Sequence, residues 1–238
     1  MKQALLLLVL FTSISYSQDT IYLKKNYEEI DNIKKAEYYK LINPSTNHEG
    51  AITEKIFYLN DKIKIEKTFE KYYSSNPELI ENVFYYDNGQ IHIKSEYENG
   101  KLNGEFVSYW ENGKLKRKDL YKKGKLKDGT CWNKNGKKVE YYDFEIHPEF
   151  PGGKVAFQKY MQDNLGNIKI PDNLKDSQVI IKFTIDENGK ITNPEIKKPV
   201  NPQIDKAALK IVDEMPNWKP AKQDGNPVKV TRSIPISF

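Results

Sequence analysis

Five turn dipeptides punctuate the middle of the chain: Asn88-Gly89, Asn99-Gly100, Asn112-Gly113, Lys123-Gly124 and Asn135-Gly136. Their glycines fall 11, 13, 11 and 12 residues apart, an even spacing that marks an array of small repeated units. Asn-Gly supplies the positive φ angles of a tight hairpin turn. The segments between, such as residues 90–97 and 105–110, are rich in aromatic and β-branched residues, as strands are. Each unit therefore reads as a short two-stranded hairpin. A longer period pairs Tyr97-Glu98-Asn99-Gly100-Lys101-Leu102 with Tyr121-Lys122-Lys123-Gly124-Lys125-Leu126, and Gly104 with Gly129. A decayed copy, residues 58–65, lines up with residues 86–93, so the repeat is expected to start near Ile52. Residues 18–50 carry mixed spacing over Tyr27 to Leu41 and a loop-like cluster at Asn43 to Asn47; the pattern allows an opening strand and fixes no other element.

The Tyr-x-Asn-Gly-x-Leu-x-Gly pattern, clear over residues 84–136, resembles the MORN repeat variant. That resemblance implies stacked hairpins in an elongated antiparallel sheet over residues 51–140, acting as an interaction or spacer surface. Tyrosines and tryptophans that fill a thin sheet core explain the composition as well as a ligand surface does.

With 38% apolar and 30% charged residues, the chain has the composition of a soluble protein, and 16 Tyr against 3 Trp suits sheets with wet faces. The net charge is +5, yet Arg117 and Arg232 are the only arginines and the lysines alternate with Asp, Glu and Asn. This argues against nucleic acid as a partner. Residues 1–17 have a basic start, an apolar run from Ala4 to Phe11 and small residues at Ser15 and Ser17, and read as a secretory signal peptide cleaved after Ser17. The apolar run falls short of the roughly 20 residues that span a bilayer. Cys131 is the single cysteine, so no internal disulfide is expected, and its expected place is inside a strand.

Beyond a linker at residues 141–149, the pattern changes. Phe157, Tyr160, Met161 and Leu165 follow a helical period after Gly152-Gly153, with Gly166 placed as a left-handed cap. Val179, Ile181, Phe183 and Ile185 alternate in a strand that turns at Asn188-Gly189. Asn201-Pro202 then caps a second helix whose apolar residues are Ile204, Ala207, Ala208, Ile211, Val212 and Met215. After Pro216 and a Gly225-Asn226 turn, Val228, Val230, Ile234, Ile236 and Phe238 fall on one side of a last strand. The fold class is α+β, with a two-helix, three-stranded antiparallel module at residues 150–238 following the hairpin array.

The ordered set Gln178-Val179, Phe183-x-Ile185-Asp186-x-Asn188-Gly189-x-Ile191, Asp205-x-Ala207-Ala208-Leu209, Trp218-x-Pro220-Ala221, Gly225-x-Pro227-Val228 and Pro235-Ile236-x-Phe238 resembles the C-terminal domain of the TonB energy-transducer family. The resemblance implies a periplasmic module that grips the TonB box peptide of a TonB-dependent outer-membrane receptor by strand addition. The family's Tyr-Pro contact falls at Ile170-Pro171, where the tyrosine is missing. Members of the family also carry a retained membrane helix that docks on ExbB and ExbD. That partnership applies here only if the leader stays as an anchor; otherwise the chain is a periplasmic adaptor.

Residue chemistry points to the same place. Pro235 has no N–H and is tolerated only where no ladder bond is needed, at an edge or strand end. Val228, Lys229, Val230, Thr231, Arg232, Ser233 and Ile234 are thus the expected binding edge, with Lys229, Thr231 and Ser233 pointing outward. Arg232 interrupts the apolar alternation as a rim charge or as a contact for an acidic partner. The alternative is a secreted scaffold whose array binds peptidoglycan or another envelope protein. Catalysis is not expected: His48, His92 and His147 are scattered without metal-ligand spacing, and no catalytic triad pattern or phosphate loop is present. No cofactor is called for.

Overall fold

The computed structural model describes residues 20–166, 168, 170, 174 and 177–238. The signal peptide expected at residues 1–17 lies outside the described residues, and so does Pro171. The chain forms two compact units that divide between Tyr141 and Tyr142.

The first unit is a ten-stranded antiparallel meander. Its strands are β1 (Ile21–Leu23), β2 (Tyr38–Pro44), β3 (Ile52–Tyr58), β4 (Ile63–Glu70), β5 (Glu78–Tyr85), β6 (Ile91–Glu98), β7 (Lys101–Tyr109), β8 (Leu115–Lys122), β9 (Lys125–Trp132) and β10 (Lys138–Val139). Each pairs with the next, so the sheet is a run of local contacts. It begins well before the expected start at Ile52, because β1 and β2 continue the same pairing.

The turns are of two kinds, where the sequence had suggested one. Asn99-Gly100 and Lys123-Gly124 have both residues at positive φ, as a two-residue hairpin turn requires. At Asn88-Gly89, Asn112-Gly113 and Asn135-Gly136 only the glycine is left-handed, and the loop holds three residues. In the first two of these the asparagine side chain closes the turn, with Asn88 Oδ1 accepting from the Gln90 amide at 2.9 Å and Asn112 Oδ1 from the Lys114 amide at 3.1 Å, whereas in the third Asn133 Oδ1 accepts from the Asn135 and Lys137 amides at 3.0 and 3.1 Å. Asp61 takes the left-handed position in the decayed copy. Neighbouring copies are tied together: Tyr86 donates its hydroxyl to the Tyr109 carbonyl at 2.8 Å, and Trp110 Nε1 donates to the Trp132 carbonyl at 3.1 Å. These aromatic residues hold one repeat to the next.

At the far end of the array Arg117 and Asp119 on β8 are wholly buried and joined at 2.9 Å. Cys131 lies opposite Arg117 on β9, also fully buried. The Tyr141 ring covers the pair, 5.1 Å from the guanidinium carbon, and its hydroxyl donates to Asp119 at 3.3 Å. Gly129 leaves the room this needs, since a Cβ there would fall 2.3 Å from the Tyr141 ring.

Burial first, and the Asp119 charge second, push the Tyr141 hydroxyl up to about 12. Burial also raises Tyr27, Tyr39, Tyr72 and Tyr85. A group raised in the folded state stabilises it fully below its unfolded value, about 10 for tyrosine, and loses that contribution as pH climbs through the folded value. The contribution of these tyrosines to the array's stability should therefore hold up to about pH 10 and decline above it, that of Tyr141 fading as pH climbs through about 12. Denaturant titrations across this range check it, and Tyr141→Phe should make the loss shallower.

The second unit centres on a three-stranded sheet in the order β13-β12-β16, with β12 (Gln178–Ile185), β13 (Ile191–Lys198) and β16 (Val230–Ser237). Helices α1 (Gly153–Leu165) and α2 (Pro202–Asp213) supply its apolar cover. Val179, Ile181, Phe183 and Ile185 alternate inward from β12 and meet Ile204, Ala208 and Val212 of α2. Phe157, Tyr160, Met161 and Leu165 of α1 pack on the same cluster. Asn201 Oδ1 caps α2 by accepting from the Gln203 amide at 2.9 Å. Gly166 is right-handed at φ −60, so the left-handed cap expected there does not form; its N–H simply continues the helical bonding to the Gln162 carbonyl. Gly189 is obligatory for two reasons. Its φ is +82, and a Cβ would come within 1.8 Å of the Trp218 carbonyl oxygen, because Trp218 bonds back onto this turn.

A second small sheet, β11 (Glu145–Ile146), β14 (Ala221–Gln223) and β15 (Asn226–Val228), runs in the order β11-β14-β15. The segment expected as a linker at residues 141–149 thus contributes a strand to the second unit. It had no sequence signal because a two-residue strand is too short to show alternation.

Candidate edge-strand binding site

The central sheet of the second unit has two edges of opposite character. On β13, Asn193 is left-handed at φ 51, Pro194 follows it, and the register with β12 slips twice. Bulges and proline of this kind spoil an edge as a template for another strand. On the other side β16 pairs with β12 in unbroken register, from Val230 opposite Ile185 to Ser237 opposite Gln178. Among the described residues no strand pairs with the outer flank of β16.

The ladder identifies which amides are committed. The Phe238 amide donates to the Ser177 carbonyl at 3.0 Å, in line with the β12–β16 register. Opposed residues in an antiparallel pair alternate between bonded and non-bonded. The bonded residues on β16 are therefore Val230, Arg232, Ile234 and Ile236, and the main-chain groups of Thr231, Ser233, Pro235 and Ser237 face away from β12. Pro235 occupies an outward position, where its missing N–H removes no bond to β12. Thr231 and Ser233 are exposed and offer both a donor and an acceptor.

The expected edge from Val228 to Ile234 is divided in the structure. Val228 ends β15 and pairs with Ala221, Lys229 lies between strands, and Val230 to Ile234 belong to β16. Arg232 stands opposite Phe183, on the face that carries the core, yet is exposed. Helix α2 lies over β13 and β12, so this flank stays open to water. That accounts for a charge at an inward-facing position. Ile170 is half-buried against the core cluster on which Val230 and Ile234 of β16 also pack.

A groove of about 430 Å³ runs along the start of this strand, lined by Val228 to Arg232 and by Glu145, Ile146, His147, Lys222 and Gln223. The contributions of β11 and β14 to it were not legible in the sequence, since Glu145 to His147 look like linker and Lys222 like one lysine among many.

Two stretches of the chain match family models. Residues 173–238 match the Gram-negative bacterial TonB protein C-terminal, and residues 80–99 and 102–123 match the MORN repeat variant. No curated protein and no solved structure matches the chain.

Proposed function

From a C-terminal module of the TonB type, we propose that the protein is a non-enzymatic component of the cell envelope that binds an extended segment of an outer-membrane transporter by adding it as a strand to β16. The observation that carries this reading is the outer flank of β16, unpaired among the described residues and held in unbroken register by β12. Main-chain groups that already lie in strand geometry pair with a guest strand without the cost of ordering themselves. The MORN-type array serves as a spacer or second partner surface, and the periplasm is where both units act.

A direct test is titration of the full chain with a peptide copy of a transporter's TonB box. Saturable binding that is competed by excess unlabelled peptide is expected. Binding that instead depends on substitutions in the array and ignores those in β16 would favour a scaffold built on the repeats.

A further inference from the structure

One face of the array carries a polar floor. Asn43, Thr53, Thr68 and Glu81 stand directly opposite one another on β2, β3, β4 and β5, so their side chains form one row across four strands. Lys55 and Glu66 are also opposed, two residues along from Thr53 and Thr68, and fall on the same face beside them. Thr53, Thr68 and Glu81 are each more than nine-tenths buried.

The loop after β2 builds a wall over this row. The Ser45 amide donates to the Ala51 carbonyl at 2.8 Å, and the Ser45 hydroxyl oxygen accepts from the Asn47 and His48 amides at 3.3 and 3.2 Å. His48 reaches across to Glu81, 3.8 Å away. Floor and wall enclose a groove of about 370 Å³. That is the small end of ligand pockets, with room for one or two sugar rings.

The lining excludes most other guests. Lys55 meets Glu66 at 2.8 Å and Lys94 meets Glu81, so the charges cancel in pairs and none is left over to hold an ion. Among the described residues Pro44 is the one apolar member of the lining, which gives an apolar guest no wall, and no three metal-type ligands converge. Hydrogen-bonding capacity remains. The Thr53 and Thr68 hydroxyls lie 3.0 Å apart; whichever of them donates, the other keeps its proton for a guest. Both contacts of Glu81 fall on Oε2, so the lone pairs of Oε1 stay available. Buried groups with capacity to spare are stabilised by a partner that brings donors and acceptors together.

We propose that this groove binds a neutral saccharide, with Glu66 and Glu81 accepting from sugar hydroxyls while Lys55 and the Thr53–Thr68 pair donate to sugar oxygens. The site lies in the array and is independent of strand addition at β16. It gives the repeats a partner of their own.

The test is an NMR titration of the full chain with glucose and N-acetylglucosamine, each as the monomer and as a linear trimer. At least one of the four is expected to give saturable shifts confined to the amides of residues 43–47, 53–55, 66–68 and 81. The best of them should bind at least about threefold tighter than glucuronic acid, whose carboxylate would face Glu66 and Glu81. Thr68→Val keeps the branched shape, removes the hydroxyl, and should weaken that binding about tenfold. Asn47→Ala, on the exposed loop, should weaken it about threefold with the sheet untouched, so the test holds even if Thr68→Val fails to fold. The assignment is overturned by an absence of saturable shifts with all four sugars, by affinities that both variants leave unchanged, or by a preference for glucuronic acid or for vesicles of anionic lipid.

Discussion

Thr231→Pro should leave the C-terminal unit folded and weaken peptide binding at least about tenfold, whereas Arg232→Pro should strongly destabilise that unit. The two positions are neighbours on one strand, both exposed, and differ in the direction of their amides. The Thr231 N–H faces outward, so a proline ring there costs β12 no main-chain hydrogen bond and only the long 3.4 Å contact between the Thr231 and Thr184 hydroxyls, but it removes a donor from the guest and obstructs its approach. At Arg232 the ring displaces a bonded amide and leaves the Phe183 carbonyl without its partner beside a fully buried side chain. That substitution should cost on the order of 3 kcal/mol and lower the melting temperature of the unit by more than about 10 °C. Circular dichroism and peptide titration of both variants separate the outcomes. Equal destabilisation by the two prolines would mean that the alternation along β16 has been misassigned.

The second large effect belongs to the array. Asp119→Ala should destabilise the first unit by about 3–5 kcal/mol, because it leaves the Arg117 guanidinium buried without its carboxylate. The cost comes from the stranded charge more than from the lost attraction. Replacing both residues, Arg117→Met with Asp119→Leu, should therefore recover most of the stability, since apolar groups of similar size need no partner there. Urea unfolding of the two variants distinguishes these cases. A single variant within about 1 kcal/mol of the unaltered protein would show that the pair is hydrated in solution.

Much of this architecture was legible in the sequence, for identifiable physical reasons. The turn glycines located the strands of the array because a left-handed residue is needed wherever such a chain reverses. They did not distinguish two-residue from three-residue turns, since Asn-Gly serves both: Asn99 itself takes positive φ, while Asn88 bonds through its side chain. An opening strand was allowed for in residues 18–50, where β1 lies, but β2 escaped notice because Tyr38 to Pro44 is half-buried nearly throughout and shows no clean alternation. In the C-terminal unit, alternation from Val179 to Ile185 and the Asn201-Pro202 cap marked β12 and α2 correctly because both are local signals. Pro235 pointed to an edge strand. The groove was invisible, because it is built from Glu145 to His147 and Lys222, residues brought to Lys229 and Arg232 only by folding.

Amide exchange along β16, followed by NMR on the full chain with and without saturating peptide, tests the central claim most directly. In the free protein Val230, Arg232, Ile234 and Ile236 should exchange slowly while Thr231 and Ser233 exchange fast, and bound peptide should slow those two. Protection of Thr231 and Ser233 already present in the free chain, or unchanged exchange at both with peptide bound, would contradict it.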